Sequence, residues 1–178
     1  MTASPNCATC SPDRFTAAEK MAIALPPVEK WNPPFCGHSG MRIARDGRWF
    51  HDGSPIARFE LVKLFAGILR LDPEGYVLVT PVEKLSIMVE DVPFLAVLVD
   101  RTGDDLIFTT NIGDVVTLDR DHSLRMVDGV PYLHIRRRLE ARVVRSVYYQ
   151  LADMAVEEGR SLGVRSSGLF FSLTDSRE

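Results

Sequence analysis

YVLVTPVEKLSIMVEDVPFLAVLVD, residues 76–100, is the longest strand-like run in the chain. Val, Ile, Leu, Phe and Tyr dominate it, and Pro81 and Pro93 punctuate it. Residues of this kind favour a pleated, half-buried surface. Leu85, Ile87 and Val89 alternate with Ser86, Met88 and Glu90, which is the period of a strand with one buried face. Leu95 to Val99 are apolar on both faces and predict an interior strand. The stretch therefore reads as three strands, 76–81, 84–90 and 94–100, with a polar knot from Thr80 to Lys84 between the first two.

Towards the N-terminus, Asp72-Pro73-Glu74-Gly75 stops a helix predicted over 55–71. Ser54 would cap it, Pro55 would open its first turn, and Leu61, Leu64, Phe65, Ile68 and Leu69 would form its core face. Before it, residues 41–51 read as a hairpin about Asp46-Gly47. Residues 26–36 hold two Pro-Pro pairs and read as a strap anchored by Trp31 and Phe35, with Trp31 as a ligand lid in the sharper version. Residues 1–24 are polar and read as a mobile tail, with one short helix after Pro12 or Asp13.

Towards the C-terminus, turn residues separate predicted strands at 105–110, 115–119, 124–127 and 130–136. A final helix is predicted over 137–158, with Leu139, Val143, Val147, Leu151, Met154 and Ala155 as its apolar stripe and Gly159 just past its end. Leu169, Phe170, Phe171 and Leu173 in the tail should cover apolar surface.

Two passages look alike. Met41-Arg42-Ile43, Asp46-Gly47 and Trp49-Phe50-His51 lead into one helix; Leu124-Arg125-Met126, Asp128-Gly129 and Tyr132-Leu133-His134 lead into the other. The fold expected is α+β, with two similar sub-domains built by hairpin-plus-helix duplication around antiparallel strands. Seven short strands and a helix after residue 76 give the C-terminal half a pleckstrin-homology-like order. The boundaries expected are a tail at 1–24, a first sub-domain at 25–100 and a second at 101–178.

The totals exclude several classes. The 178 residues carry 21 basic and 24 acidic side chains with no basic stripe, so no nucleic-acid partner is expected. No apolar run is long enough to cross a bilayer as a helix, and the N-terminus lacks the apolar core of a signal peptide, so no membrane partner is expected. Three cysteines fit a cytoplasmic chain with reduced thiols.

Candidate sites each have a plain alternative. Cys7, Cys10, Cys36 and His38 could supply four zinc ligands, but the first pair sits in the polar tail, and reduced cysteines with no metal is the reading adopted. Glu83 and Lys84 mark either a solvated turn or a cleft wall. Arg138, Arg142 and Arg145 would share a helical face able to bind phosphate or carboxylate, or else pair with Glu140 and Asp153. Tyr148-Tyr149 could stack a ring or fill core. No phosphate loop, dinucleotide fingerprint or nucleophile elbow is present, and no cofactor is indicated.

PPVEKWNPPFCG (26–37), MRIARDGRWF (41–50), GYVLVTPVEK (75–84), VEDVPFLAV (89–97), TNIGD (110–114) and a VYY-containing final helix resemble the bacterial domain-of-unknown-function family 1285. The resemblance runs from about Leu25 to Phe171. It implies a duplicated α+β fold and a ligand-binding component of signalling, with a nucleotide-like ligand where the sub-domains meet. Near that junction the motif positions are Thr80, Glu83, Lys84, Asn111, Asp114, Arg145 and Tyr148. The chain departs from the family pattern near His38, where an Asp is expected, and near Arg165, where a Trp is expected. The function expected is binding of a small polar ligand, anionic or nucleotide-like, at the junction. The alternatives are an enzyme acting on a phosphorylated or nucleotide-like metabolite, and a module that binds a protein partner through a strand edge or Phe170-Phe171.

Overall fold

A computed structural model describes residues 25–174. The tail helix expected after Pro12 lies outside the described residues, as do Cys7 and Cys10. Two six-stranded sheets and one three-stranded sheet make up the body. In the first, β1 (Phe35–Ile43), β2 (Trp49–His51) and β3 (Ser54–Pro55) form an antiparallel meander, and so do β4 (Leu69–Asp72), β5 (Gly75–Val79) and β6 (Lys84–Val89). β1 and β6 pair in parallel at the centre. Helix α1 (Phe59–Gly67) lies in the crossover from β3 to β4.

The second sheet repeats this plan. β7 (Phe94–Thr102), β8 (Asp105–Thr110) and β9 (Val115–Thr117) form one meander. β10 (Leu124–Val127), β11 (Val130–Arg136) and β12 (Leu139–Val143) form the other, and β12 pairs parallel to β7. Helix α2 (Arg145–Asp153) follows, then β13 (Val156–Glu158), β14 (Ser161–Ser166) and β15 (Leu169–Ser172) make the third sheet. The class is α+β, with mixed sheets rather than the antiparallel ones expected. The reason is that each large sheet closes its first strand against its last, and those two run the same way. The large sheets part between Val89 and Phe94, ahead of the boundary expected at residue 100, because β7 is central to the second.

Both similar passages form hairpins, β1–β2 and β10–β11. They do not occupy equivalent positions: one opens the first meander of its sheet and the other opens the second. What the halves share is strand order.

Both helices are shorter than expected. The Ile56 amide donates to the Trp49 carbonyl at 2.8 Å, which keeps residues 54–56 on the sheet, and Leu69 enters β4. The face of α1 turned inward is Val62 and Ala66, not Leu61 and Leu64, which are 37% and 59% exposed. At the other end, Leu139, Ala141 and Val143 are buried alternately with Glu140 and Arg142. That is a strand period, so α2 begins only at Arg145. Arg138, Arg142 and Arg145 therefore share no helical face. Gly159, at φ 65°, serves the β13–β14 turn rather than a helix end.

One hydrophobic cluster joins the sheets, with Trp49, Phe94 and Phe108 among its largest buried side chains. Trp49 stacks on Phe65 of α1 with ring centroids 6.4 Å apart. Val164, Phe171 and Leu173 join the cluster from the C-terminal segment. The strap is held by Val28, which is fully buried, while Phe35 is 57% exposed. Arg70 clamps it by donating from Nη1 to the carbonyls of Val28 at 2.7 Å and Trp31 at 2.8 Å. Among the described residues no helix is long and apolar enough to cross a membrane.

Candidate functional site

Two regions bring polar groups together, a seam between the large sheets and a depression on the outer face of the first. The seam has three clamps. In the β8–β9 turn, Asn111 Oδ1 accepts from the Leu95 amide at 2.9 Å, and its Nδ2 donates to the Gly47 carbonyl at 3.4 Å. Gly47 has φ 82°, and a Cβ there would lie 2.7 Å from Asn111 Nδ2. The Asp46-Gly47 turn thus presses backbone-first against the second half, where a larger residue would collide.

Asp114, in the same turn as Asn111, ion-pairs with Arg136. Arg136 Nη2 also donates to the Ala66 carbonyl at 3.1 Å, and its guanidinium lies 5.0 Å from the Phe94 ring centroid. Its neighbour Arg137 donates to the carbonyls of Gly67 at 3.4 Å and Pro26 at 2.7 Å. Two cations from the second half thereby meet the negative end of α1. Burial, with Arg137 adding repulsion, lowers the Arg136 pKa to about 10, so the guanidinium is still charged at neutral pH.

The third clamp centres on Asp91, in the link between the sheets. It accepts the Tyr132 hydroxyl at 3.1 Å and pairs with Arg142 at 3.3 Å and Arg45 at 3.7 Å. Burial and the bond to Asp91 push the Tyr132 hydroxyl above its usual pKa, so it remains a donor. Arg125 forks onto Glu140 with two bonds of 2.6 Å and lies 4.9 Å from the Tyr132 ring centroid.

The expected site residues fall into three groups. Thr80, Glu83 and Lys84 share the β5–β6 turn: Thr80 Oγ1 accepts from the Glu83 amide at 3.1 Å, Glu83 is exposed, and Lys84 Nζ donates to Asp72 at 3.1 Å. Asp72 also takes both arms of Arg70, at 2.6 and 2.9 Å. Asn111 and Asp114 belong to the seam. Arg145 is exposed at the start of α2 without an ion pair to a described residue, and Tyr148, one turn on, packs on the core beside Tyr149. No hydrogen bond, ion pair or ring contact among the described residues links one group to another.

The depression arises from β1. Gly37 and Gly40 have φ of 108° and 68°, and the register against β6 slips on both sides of His38. Three residues of β1, Phe35 to His38, advance against two of β6; then four, His38 to Arg42, advance against two. Such bulges bend a strand and re-aim its side chains. The result is an open hollow of about 330 Å³ lined by His38, Arg42, Phe50, Ser86, Met88 and the backbone at Gly40 and Gly53.

Within it, His38 Nδ1 contacts Ser86 Oγ, and Ser39 Oγ donates to the Ser86 carbonyl at 2.8 Å. His38 Nε2 has no partner among the described residues. Arg42 lies 4.2 Å from the Phe50 ring centroid and pairs with Glu90 at the rim. Glu90 is held below the usual carboxylate range by the Arg45 amide first and Arg42 second. Met88 is 64% exposed beside Arg42, its ladder neighbour. A nucleophilic serine needs a base oriented by a third group. No such group reaches His38 among the described residues. Among the described residues no cluster of three His, Cys, Asp or Glu could hold a metal ion, and Cys36 is exposed.

The sequence reading passed over Asp91, Tyr132, Arg136 and Arg137: Arg136 was placed at the end of a strand and Arg137 at the start of the final helix, and nothing local says that either reaches α1. It passed over the depression although a signal was present. Gly37-His38-Ser39-Gly40 inside a strand pattern is the mark of a bulge.

Residues 26–92 match the model of the N-terminal domain of the domain of unknown function DUF1285, and residues 93–173 match that of the C-terminal domain of the protein of unknown function DUF1285. The two matches meet where the large sheets part. The chain is 41% identical to a DUF1285 family protein from Silicibacter pomeroyi DSS-3, covering 91% of this chain and 94% of that one, with a TM-score of 0.82. It is 30% identical to a DUF1285 family protein from Shewanella baltica OS155, covering 64% of this chain and 90% of that one, with a TM-score of 0.55. No curated protein matches it.

Proposed function

The chain belongs to the DUF1285 family, and we propose that it binds a small anionic metabolite with a flat apolar part, such as a nucleotide, in the depression of the first sheet. The observation that carries this reading is the contrast in partners. Polar side chains along the seam are engaged in holding the halves together, whereas His38 Nε2 and the Arg42–Phe50 stack face an open hollow. A hollow of about 330 Å³ is at the low end of ligand sites, so the ligand is of mononucleotide size or smaller. Arg42 and His38 would meet the anion, with Phe50 and Met88 against its apolar face. A ligand held this way suits a cytoplasmic signalling role, since the depression sits on the same sheet as the Gly47 turn that docks on the second half. We also read the halves as repeats of one topology and the second as pleckstrin-homology-like, a view supported by the shared strand order and by α2 following β12.

The test is amide-resolved NMR titration with AMP, adenosine, ribose 5-phosphate and inorganic phosphate. AMP should shift resonances of β1, β2 and β6, with weaker effects from the fragments, and Arg42→Ala should weaken AMP at least about tenfold. Shifts confined to the seam would move the site there, and no shift with any of the four at millimolar concentration would overturn the reading.

A further inference from the structure

The wall of the depression away from β6 carries an acid. β2 runs along that side of β1, where Phe50 is the ladder neighbour of Arg42. The pairing continues one step to Asp52, whose amide donates to the Gly40 carbonyl at 3.0 Å. Gly40 lies midway along β1 between His38 and Arg42 and lines the hollow, as does Gly53, the residue after Asp52. Having no side chain, Gly40 leaves its outer space to Asp52: a Cβ built there would collide with Asp52 Oδ1. The Asp52 carboxylate therefore stands over the Gly40 backbone at the edge of the hollow.

Its Oδ2 lies 3.6 Å from His51 Nε2, and its side chain is 77% exposed. Its Oδ1 has no hydrogen-bond partner among the described residues. An ionised carboxylate only accepts hydrogen bonds. Beside a site for an anion it weakens binding by repulsion, unless the ligand turns donors toward it. Arg42 is already balanced by Glu90, so a second acid on the same hollow does nothing for a bare phosphate. A ligand whose anionic group and donor groups are separate removes the conflict. Of the parts of a nucleotide, the phosphate lacks donors and the base presents them only at its edge. The ribose presents two hydroxyls on neighbouring carbons, which match the two oxygens of one carboxylate. Dinucleotide-binding folds set an acidic side chain against a ribose hydroxyl for the same reason.

We propose that Asp52 is the specificity residue of the depression and accepts both hydroxyls of a ribose, so that the ligands taken are ribonucleotides in preference to nucleotides without the diol. This rests on the reading of the depression as a nucleotide site.

Amide-resolved NMR titration of the full chain with AMP and with 2′,3′-dideoxy-AMP tests it, since the two share base and phosphate and differ only in the diol. Wild type should bind AMP about five- to tenfold more tightly, with shifts in β1, β2 and β6 for both. Asp52→Ala should bring the ratio to within about twofold of one by weakening AMP alone. The variant should fold as wild type does, because the side chain is exposed. Arg42→Ala should weaken both ligands and leave the ratio standing. Equal binding of the two ligands by wild type, with shifts in those strands, overturns the role of Asp52 and leaves the nucleotide site intact. So does a ratio that survives Asp52→Ala, which would put the diol against another residue. Binding of neither ligand overturns the nucleotide site and this role with it.

Discussion

The seam and the depression use the same side-chain types to opposite effect. Along the seam, Arg136, Arg142, Asn111 and Asp91 each meet groups from more than one element, and several of those groups are backbone carbonyls or amides. In the depression, Arg42 rests on an aromatic ring and a rim carboxylate, and His38 Nε2 has no partner among the described residues. Partners differ between the two regions more than charge does. A polar group held by partners from several elements serves stability, and one bonded on a single side is available to a ligand. If that contrast is right, substitutions in the seam should act on folding and substitutions in the depression should act on binding.

The largest effect should come from Arg136→Met. The variant keeps length and apolar contact with Phe94, but it strands the Asp114 carboxylate and leaves the Ala66 carbonyl without its donor. Removing one partner of a buried pair costs about 3–5 kcal/mol, and equilibrium urea unfolding would read it as a lower midpoint. A midpoint within experimental error of wild type would mean that the seam does not hold the halves together. Asp72→Asn should follow, at about 2 kcal/mol near pH 7, because Arg70 and Lys84 would then face each other without the carboxylate between them. Its pH dependence has a definite sign. Arg70, ahead of Lys84, holds the Asp72 carboxyl below its usual 3.8 in the folded chain. A lowered folded pKa contributes stability that is present above the unfolded value and is lost as pH falls through the folded one. The gap between wild type and Asp72→Asn should therefore narrow on titration below about pH 4.

Most strands were legible in the sequence, because alternation is local. The strands 105–110, 124–127 and 130–136 appear where the turn residues placed them. The final helix was not, and the reason is arithmetical. Leu139, Val143, Val147 and Leu151 recur every four residues, a spacing that serves a helix face and also every second position of a strand. Ala141 decides the matter, since it is buried between Leu139 and Val143, and alanine carries little signal. The parallel pairing of first and last strands was not legible either, because it depends on contacts between residues about fifty apart. Within the candidate site, the Asp46-Gly47 turn was read as a hairpin, but nothing local says that its outer side docks against Asn111. The exposed side of α1 was read as core because Leu61 and Leu64 are apolar. Periodicity locates an apolar face but does not say whether the chain itself covers it.

Gly47→Ala probes the seam through the backbone. The substitution asks alanine to adopt φ 82° and places its Cβ 3.0 Å from Leu95 Cδ1 as well as against Asn111. Strain of this kind costs about 1–3 kcal/mol, enough to lower the thermal midpoint by several degrees, roughly 2–8 °C. Asn111→Ala made in the same background should restore part of the loss, because it removes the closer of the two obstacles. A loss unchanged by the second substitution would assign the whole effect to the left-handed backbone and none to docking.

The smallest effect on folding should belong to Met88→Ala, and that smallness is what makes it decisive. Met88 is 64% exposed, so removing its side chain leaves no cavity and no stranded polar atom. Its effect on stability should stay within about 0.5 kcal/mol. Against a ligand the expectation reverses. If the side chain lies over the apolar part of a bound nucleotide, its removal should weaken AMP several-fold while leaving inorganic phosphate unchanged, since phosphate presents no apolar face. A variant that loses both ligands equally would show that Met88 shapes the hollow rather than contacting the ligand. One that loses stability instead would place β6 in the structural class with the seam, and the contrast between the two regions would fail at its clearest point.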